Sequence, residues 1–377
     1  MKICFIADGN SDHTLAIANY FAKHNDEVHL ISYDFTDAYD QNIVLHRLRN
    51  KLLFLGNISY YISFFSWIFR IRKLIREIKP DIISIQYITT YGLLASMVRF
   101  HPLVVTAWGS DVFIQPRINP FWRYVIRSIL KRSDLFICLF NVDLLPTNIV
   151  NLVPSGLTTE SIPHGIDTYL FRRNNNGKML RGKYGIEETD LVVINIRGLN
   201  PIFDPVTFIR AMPIVLDVFP NVKFLAPYEP RFRKSYEDLI RSLHIENKFI
   251  ILNWMSNEEV ATHLSISDVY VSTSLSDGAS NALFEAMACE LAPVVTDIPA
   301  NRFWIKNGEN GCLFEPRNYF ALAKNILSLL LDKEIRELYG MRCRKIVQEY
   351  ADYKTQMLKT QKLYQSLFIK YSNTKEQ

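Results

Sequence analysis

The sequence predicts an α/β protein with two Rossmann-like domains that face each other across a cleft. Two observations support this prediction. Short apolar runs rich in β-branched residues alternate with helical patterns, which is typical of doubly wound parallel sheets. The chain also has 377 residues, 49% of them hydrophobic, which is more than one core usually supports. We therefore expect two domains of ordinary size.

The first predicted domain spans residues 1–172. A helix is predicted at Leu15–His24, between the first two strands. The predicted strands are Ile3–Ala7, Glu27–Ser32, Asp81–Gln86, Leu103–Ala107 and Leu135–Leu139.

A polar segment, Arg172–Lys178, is the clearest candidate for a linker. It precedes a second predicted domain, residues 173–352, that repeats the alternation of strands and helices. The strands predicted there are Leu191–Ile196, Val222–Leu225, Phe249–Leu252, Val269–Ser272 and Ala292–Thr296.

The composition excludes several classes of protein. Five scattered cysteines without C-x-x-C spacing indicate a reducing, cytoplasmic compartment and argue against a disulfide framework or a metal site. The amino terminus is predicted to be a buried strand rather than a signal peptide. The net charge of +5 is modest and no nucleic-acid reader motif accompanies it, so we expect no nucleic-acid partner.

The stretch Ser276–Glu290 is the most informative part of the chain. Its two carboxylates, Asp277 and Glu285, are eight positions apart, and a helix is predicted over Asn281–Met287. Backbone N–H groups at the start of a helix are available to a phosphate, and each carboxylate can accept from a hydroxyl group. The alternative is that Asp277 is a turn residue and Glu285 a capping carboxylate.

This stretch closely resembles the donor-binding signature of retaining glycosyltransferases of family 4, which have the GT-B fold and an E-x7-E pattern. Asp277 stands in the place of the first Glu. The resemblance implies that Glu285 binds the ribose hydroxyls of a nucleotide and that Asp277 binds hydroxyls of the donor sugar. It also implies that the backbone of Ala279, Ser280 and Asn281 surrounds the sugar and phosphate.

Other segments resemble the same family, and together the matches run from about Ile3 to Tyr364. They are Val104–Asp111, Ile162–Asp167 with Phe171, Ile298–Arg302 and Asn310–Phe314. The resemblance implies that the first domain holds the acceptor and the second the donor. It further implies that a C-terminal helix within residues 353–377 crosses back to the first domain.

Arg197 is the candidate cation for the donor's diphosphate, whose negative charge increases as the nucleotide leaves. Arg197 and Asp277 are thus the predicted catalytic residues. The family has a Lys six positions after this Arg, where this chain has Phe203, so Arg210, Arg231 or Arg233 could supply a second cation. The alternative for Arg197 is an ordinary surface charge. The sequence lacks a D-x-D triplet, so we expect no metal and no cofactor besides the nucleotide diphosphate sugar.

The turn after the first strand contains Asp8 and Gly9. The resemblance implies that this loop approaches the donor phosphate at Gly9 and the acceptor at Asp8. With one glycine the turn is no G-x-G-x-x-G fingerprint, which argues against a nicotinamide enzyme. A purely structural role for Gly9 is the alternative.

Trp108 stands where family members often have a His near the reacting centre. An indole can stack on a sugar or donate one N–H, but it cannot shuttle a proton. The resemblance implies a front-face displacement in which the leaving phosphate itself can take the acceptor proton, so we expect that activity does not require that His. Asp111 is a second acceptor-side candidate, with capping of the next segment as the alternative. His164 replaces the usual Asn of its motif, and we expect a structural role for it.

Two basic, aromatic segments of the first domain predict binding to an anionic membrane surface. Between His46 and Lys79 there are eight Lys or Arg residues against one Glu, interleaved with Leu52, Leu53, Phe54, Tyr60, Tyr61, Phe64, Phe65, Trp67, Ile68 and Phe69. The second segment, Arg99–Arg132, adds further cations and Trp122. The alternative is that the aromatic residues belong to the core and the cations to a solvated face.

These observations predict a retaining hexosyltransferase or N-acetylhexosaminyltransferase. It would move a sugar from a nucleotide diphosphate sugar to a glycan or lipid-linked glycan, at the cytoplasmic face of a membrane, in cell-surface polysaccharide synthesis. Two alternatives stay open. One is a non-catalytic GT-B-like subunit that binds a sugar nucleotide or a partner enzyme, and the weaker one is a sugar-nucleotide epimerase. The motif leaves the donor sugar, its base and the linkage undetermined.

Overall fold

The protein forms two compact units of similar size. The computed structural model describes residues 1–48, 56–140, 147–173, 177–198, 200–227 and 233–375. Unit 1 comprises Met1–His164 and Thr355–Gln377, and unit 2 comprises Gly165–Lys354. The boundary after His164 thus lies before the one predicted after residue 172. Part of the predicted linker, residues 174–176, lies outside the described residues.

Unit 1 is built on a parallel sheet in the order β3-β2-β1-β4-β5-β6-β7. Its central strands are fully buried, as expected for a parallel sheet covered on both faces. The strands β1 to β7 are Lys2–Ile6, Glu27–Ser32, Val44–Arg47, Ile82–Gln86, Leu103–Ala107, Leu135–Cys138 and Thr158–Ser161.

Helices connect these strands, and the first of them follows β1 directly. The Ser11 side chain accepts from the backbone N–H of His13 and so caps this helix. Helices α1 to α7 are Asp12–Lys23, Gly56–Ile78, Thr90–Ser96, Ser110–Phe113, Gln115–Ile118, Phe121–Leu130 and Thr147–Val150. Among the described residues, no helix is both long enough and apolar enough to cross a membrane.

Unit 2 repeats this arrangement with a parallel sheet in the order β10-β9-β8-β11-β12-β13. The strands β8 to β13 are Leu191–Ile194, Val222–Pro227, Phe249–Leu252, Val269–Ser272, Ala292–Thr296 and Cys312–Phe314. Helices α8 to α15 are Lys178–Lys183, Pro205–Val218, Arg233–Ser242, Asn257–Ser265, Asn281–Ala288, Pro299–Trp304, Tyr319–Leu331 and Lys333–Tyr350.

The last helix, α16 (Tyr353–Lys375), belongs to unit 1 from Thr355 onwards. Tyr364 is fully buried there and stacks on Phe21, with the ring centroids 5.1 Å apart. Its hydroxyl lies 2.7 Å from that of Ser84 on β4. The helix is therefore an integral part of the unit 1 core.

Both sheets reverse their strand order between two neighbouring strands, β1 and β4 in unit 1 and β8 and β11 in unit 2. In open parallel sheets, ligands bind beside the carboxyl ends of the strands at such a reversal. Asp8 and Gly9 follow β1, and Arg197 and Asp277 follow β8 and β11. The topology therefore places these predicted site residues where a ligand is expected.

Candidate functional site

Arg197 and Asp277 form an ion pair at the strand-order reversal of unit 2. Nη2 of Arg197 lies 2.8 Å from Oδ2 of Asp277, and both side chains are largely buried. The carboxamide oxygen of Asn195, just after β8, accepts from the backbone N–H of Arg197 at 2.8 Å and fixes the turn. Two residues that are 80 positions apart in the sequence are thereby brought together.

Phe203, in the place of the family Lys, packs against the same guanidinium. The Cζ atom of Arg197 lies 4.2 Å from the centroid of the Phe203 ring, which is a cation–π contact. The Phe203 carbonyl accepts from the Thr273 hydroxyl at 2.5 Å, which ties this turn to the loop before Asp277. Phe203 therefore orients Arg197 instead of supplying a second cation.

The structure leaves the source of a second cation open. Arg210 is exposed on α9. Arg233 is paired with Glu237 at 2.8 Å, and Arg231 lies outside the described residues. None of the described alternatives is placed beside Arg197 by a contact.

The loop after Asp277 leads into α12, as the sequence predicted. Oδ1 of Asp277 accepts from the backbone N–H of Gly278 at 3.0 Å. The Ser280 side chain caps the helix by accepting from the N–H of Leu283 at 3.4 Å. Ala279 and Asn281 on either side of it are partly buried. The first turn of α12 therefore begins beside the ion pair.

Glu285 lies one turn into α12 and is desolvated. Burial raises the pKa of its carboxyl group to about 7, and the Arg197 charge acts in the opposite direction. A carboxylate that accepts several hydrogen bonds would have a lowered pKa instead. The surroundings of Glu285 thus disfavour its charged form in the free protein.

Two further polar groups of this region are buried without partners among the described residues. They are the hydroxyl of Tyr270 on β11 and Nε of Arg197. The sequence analysis did not single out Tyr270. The available signal was a phenol between two valines of a short predicted strand, close before Asp277 in the sequence.

Asp111 in unit 1 is fully buried, and backbone donors occupy its carboxylate. Its oxygens accept from the N–H groups of Ile88 at 3.0 Å, Trp108 at 3.1 Å and Gly109 at 2.8 Å. Burial raises the pKa of this carboxyl group, and the backbone hydrogen bonds oppose that shift. These contacts favour the capping alternative for Asp111 over an acceptor-side role.

Gly9 is also engaged by its surroundings. Its N–H donates to the Ser32 hydroxyl at 2.8 Å, and its carbonyl accepts from the Tyr39 hydroxyl at 3.0 Å. A Cβ atom at this position would collide with the Asp34 carbonyl and the Phe35 ring. These contacts favour the structural alternative for Gly9, whereas Asp8 beside it is exposed.

Trp108 belongs to a cluster of rings in unit 1. Its Nε1 donates to the Gln86 side chain at 3.3 Å, and its ring meets that of His13 edge-on at 5.0 Å. His13 in turn meets His164, with ring centroids 4.2 Å apart. His13 was missed by the sequence analysis, although it opens the helix that follows β1.

Comparisons with known proteins agree with this architecture. The solved sucrose-phosphate synthase from Thermosynechococcus elongatus superposes with a TM-score of 0.81 at 17% identity, covering 98% of this chain and 100% of that one. HepE of Anabaena, in complex with UDP-glucose, gives a TM-score of 0.79 at 20% identity, with 97% and 100% covered. The fold is therefore GT-B, the two-domain class of the glycosyltransferases.

The sequence matches two family models. Residues 2–139 match "Glycosyl transferase 4-like" and residues 178–346 match "Glycosyl transferases group 1", so the matches take in most of the chain. The chain belongs to the GT-B glycosyltransferases that combine these two domains.

Curated relatives are distant. The putative glycosyltransferase EpsD of Bacillus subtilis is 24% identical over 204 residues, which cover 54% of this chain and 53% of EpsD. The chain thus spans about half the length of that relative. An Escherichia coli enzyme named UDP-Gal:alpha-D-GlcNAc-diphosphoundecaprenol alpha-1,3-galactosyltransferase is 22% identical over 281 residues, with 72% of each chain covered.

Proposed function

We propose that the protein is a retaining glycosyltransferase of family 4, with the E-x7-E pattern realised as Asp277 and Glu285. It transfers a hexose or N-acetylhexosamine from a nucleotide diphosphate sugar to a glycan or lipid-linked glycan. The reaction needs no metal, because Arg197 supplies the positive charge that the leaving diphosphate requires. Its place is the synthesis of a cell-surface polysaccharide at the cytoplasmic side of a membrane.

The observation that supports this proposal most is the group of Arg197, Asp277 and Glu285 at the strand-order reversal of unit 2. Donor binding replaces the Arg197–Asp277 pair by two new contacts. The guanidinium turns to the diphosphate, and the Asp277 carboxylate accepts from hydroxyls of the sugar. Glu285 accepts from the ribose hydroxyls, and the start of α12 with Ala279, Ser280 and Asn281 surrounds the phosphate and sugar.

The relatives support the class of substrate. HepE was crystallised with UDP-glucose, and the Escherichia coli relative is named for a UDP-galactose donor and a diphosphoundecaprenol acceptor. We therefore propose a uridine diphosphate sugar as the first donor to test. Asp8 and Trp108 in unit 1 are the proposed acceptor-side groups, with Trp108 as a stacking surface for a sugar ring.

Isothermal titration calorimetry without metal tests the donor site. Wild-type protein, Glu285→Ala and a control variant, Glu337→Ala, are titrated with uridine, guanosine and thymidine diphosphate sugars. Glu337 is suitable as a control because it is half-exposed on α15 and paired with Lys333 on the same helix. Binding by wild type and control that is lost in Glu285→Ala supports the proposal. Equal binding by all three proteins contradicts the assigned site.

We also propose that unit 1 binds an anionic membrane surface through α6 and the end of α5. The outer face carries Ile118 and Tyr124, each 73% exposed, and Phe121, 55% exposed. Exposed cations surround them, namely Arg117, Arg123, Arg127, Lys131 and Arg132. The opposite face of α6 is buried in unit 1. Apolar groups ringed by cations are suited to the interface of an anionic bilayer.

In the other basic segment, between His46 and Lys79, the described aromatic and apolar residues are partly buried and partly exposed. Trp67 and Ile68 are buried in the core, which fits the structural alternative, whereas Phe69 is 68% exposed. Residues 49–55, including Leu52, Leu53 and Phe54, lie outside the described residues. The membrane proposal therefore rests on α6.

Sedimentation with liposomes tests this surface. Wild-type protein is expected to bind vesicles containing phosphatidylglycerol at low salt and to be released as salt screens the charges. Arg123→Glu together with Arg127→Glu should abolish binding, whereas the control Lys333→Glu on α15 should not. Equal binding to neutral vesicles, or none at low salt, contradicts the proposal.

A non-catalytic, nucleotide-binding subunit is the second candidate function. It is favoured by one observation: Arg197 is neutralised by Asp277 and covered by Phe203, so the described site offers no free cation to a diphosphate. Release of nucleoside diphosphate from a donor sugar, with or without an acceptor, separates the candidates. A protein that binds the donor and never turns it over is such a subunit.

A further inference from the structure

Two polar groups beneath the proposed nucleotide site lack the partners that buried groups normally have. They are the Tyr270 hydroxyl and Nε of Arg197, which are buried without a hydrogen bond among the described residues. A third group of the same region is the carboxyl group of Glu285, whose pKa is raised to about 7 by burial. Most buried polar groups are satisfied, so such a group calls for an explanation.

Tyr270 faces the same layer as these groups. It opposes Ile194 in the pairing of β11 with β8, three residues before Arg197. Its side chain packs in the same core cluster as Ile194, Leu283 and Phe284, and the last two belong to α12, the helix of Glu285. The charges of Arg197, Asp277 and Glu285 all act on the phenol. The hydroxyl therefore lies beneath the nucleotide site.

The neighbouring serine, Ser272, is near enough to act on the pKa of the phenol, but the Tyr270 hydroxyl makes no hydrogen bond of normal geometry with the described residues. Ser272 lies two residues along the same strand, but its hydroxyl is 3.1 Å from that of Ser274. Tyr270 is 0% exposed, so bulk water does not reach it either. A buried hydroxyl without a partner lowers stability, which argues for a role in a ligand-bound state.

The three groups complement one another chemically. Nε–H of Arg197 is a donor, the phenol both donates and accepts, and a carboxylate only accepts. We propose that Tyr270 is a positioning residue of the nucleotide site: its hydroxyl accepts from the Arg197 side and donates to Glu285, directly or through one buried water, when a ribose is bound. This inference rests on the proposed function. It adds Tyr270 to the proposed site, as the residue that holds the Glu285 carboxylate in place for the 2′ and 3′ hydroxyls of the ribose.

The consequence is discrimination between ribose and 2′-deoxyribose. A carboxylate fixed by one buried donor keeps lone pairs for both the 2′ and 3′ hydroxyls. A site that binds a hydroxyl group disfavours a ligand without that hydroxyl, because the polar group of the protein is then left unpaired. Wild-type protein should therefore bind UDP at least about tenfold more tightly than 2′-deoxy-UDP.

Tyr270→Phe tests the proposal, since it removes one oxygen and keeps the packing. Titrations with UDP, 2′-deoxy-UDP, GDP and 2′-deoxy-GDP should show that the ribonucleotide is bound about tenfold more weakly by the variant. The matching deoxyribonucleotide should be bound as by wild type. An unchanged affinity for the ribonucleotide overturns the inference while leaving the proposed function intact. A wild-type protein that binds none of the four overturns both.

A double-mutant cycle and a stability control complete the test. In a Glu285→Gln background, Tyr270→Phe should have little further effect, and fully additive losses contradict a shared role. Without nucleotide, Tyr270→Phe should be at least as stable as wild type, because it removes an unpaired hydroxyl. Tyr184→Phe is the matched control. It breaks a hydrogen bond to His263 of 2.9 Å and should lower stability without changing nucleotide affinity.

Discussion

The carboxyl edges of the two sheets have the same topology, but the polar groups of the predicted site residues are paired differently in the two units. In unit 1, the protein's own backbone occupies the carboxylate of Asp111, and both backbone groups of Gly9 are hydrogen-bonded. In unit 2, Nε of Arg197 and the Tyr270 hydroxyl are unpaired among the described residues, and the Glu285 carboxyl group is desolvated.

The contrast concerns these residues and not every polar group of the two edges, since Nδ1 of His13 and Oγ1 of Thr14 in unit 1 are also buried without a partner among the described residues. Satisfied polar groups stabilise the folded state and fix loops, whereas unsatisfied ones destabilise it until a ligand supplies partners. The edge of unit 2 thus has the properties expected of a site that binds a polar ligand. Substitution of Asp111 should therefore change mainly stability, and substitution of Arg197 or Glu285 should change mainly binding and turnover.

Asp111→Ala is expected to have the largest effect, and the effect should be on stability. It leaves the buried N–H groups of Ile88, Trp108 and Gly109 without their acceptor, which costs at least about 3 kcal/mol. Denaturant unfolding measures the loss. Asp8→Ala, at an exposed position of the same edge, is the control and should change stability by less than about 0.5 kcal/mol. A stable Asp111→Ala protein with a specific loss of acceptor affinity would restore the acceptor-side interpretation.

Glu285→Gln should stabilise the free protein while weakening nucleotide binding. The folded-state pKa of about 7 lies above the ordinary value of 4.5, so ionisation of Glu285 opposes folding. This penalty is absent below the unfolded pKa, grows between the two values and is complete above about pH 7. The variant should therefore gain up to about 3 kcal/mol at about pH 8 and nothing at about pH 4.

Nucleotide binding provides an independent measurement of the protonation of Glu285. Hydrogen bonds from ribose hydroxyls favour the carboxylate and lower its pKa, so binding near pH 6.5 should release protons. Calorimetry in buffers of different ionisation enthalpy measures the release, and Glu285→Gln should abolish it. Proton release that persists in the variant would assign the titration to another group.

Arg197→Ala is expected to lower kcat/KM for transfer by about a hundredfold, or about 2.7 kcal/mol, because the leaving diphosphate loses its cation. Steady-state kinetics at saturating acceptor measures this effect. Arg302→Ala is the matched control, since Arg302 is an exposed arginine of unit 2 paired with Asp297. Full activity of Arg197→Ala would mean that another cation binds the diphosphate.

The two sheets also show which strands a sequence can predict. The ten predicted strands are all present within one or two residues of their bounds, because central parallel strands are continuous apolar runs. The three that were not predicted, β3, β7 and β13, all lie at sheet edges. Polar residues interrupt β3 and make up β7, and β13 has only three residues, so none of the three has a recognisable apolar run. Their position depends on pairing with a neighbour, which a local pattern does not contain.

The site likewise contains residues that a sequence can predict and contacts that it cannot. Asp277 and Glu285 could be selected from their spacing before a predicted helix together with the family resemblance, which also pointed to Arg197 after a predicted strand. The contact of Phe203 with Arg197 and the burial of Tyr270 depend on the pairing of β8 with β11, which joins distant parts of the chain. Asp111 could not be assigned because capping and binding require the same residue type in the same place. The hydrogen bonds of its carboxylate distinguish these roles.

Trp108→His should have the smallest effect. It is the most specific test of the difference between the carboxyl edges of unit 1 and unit 2. It restores the residue that the family often carries, but removes the stacking surface and the hydrogen bond to Gln86. If the leaving phosphate takes the acceptor proton, the imidazole adds no essential chemistry, and kcat/KM should fall by no more than about tenfold, or 1.4 kcal/mol. The loss should be in the KM for the acceptor, since nucleotide affinity resides in unit 2. Kinetics with each substrate varied separately checks this. A rise in kcat of tenfold or more would mean that the acceptor side of unit 1 lacks a proton-transfer group, which an imidazole can supply.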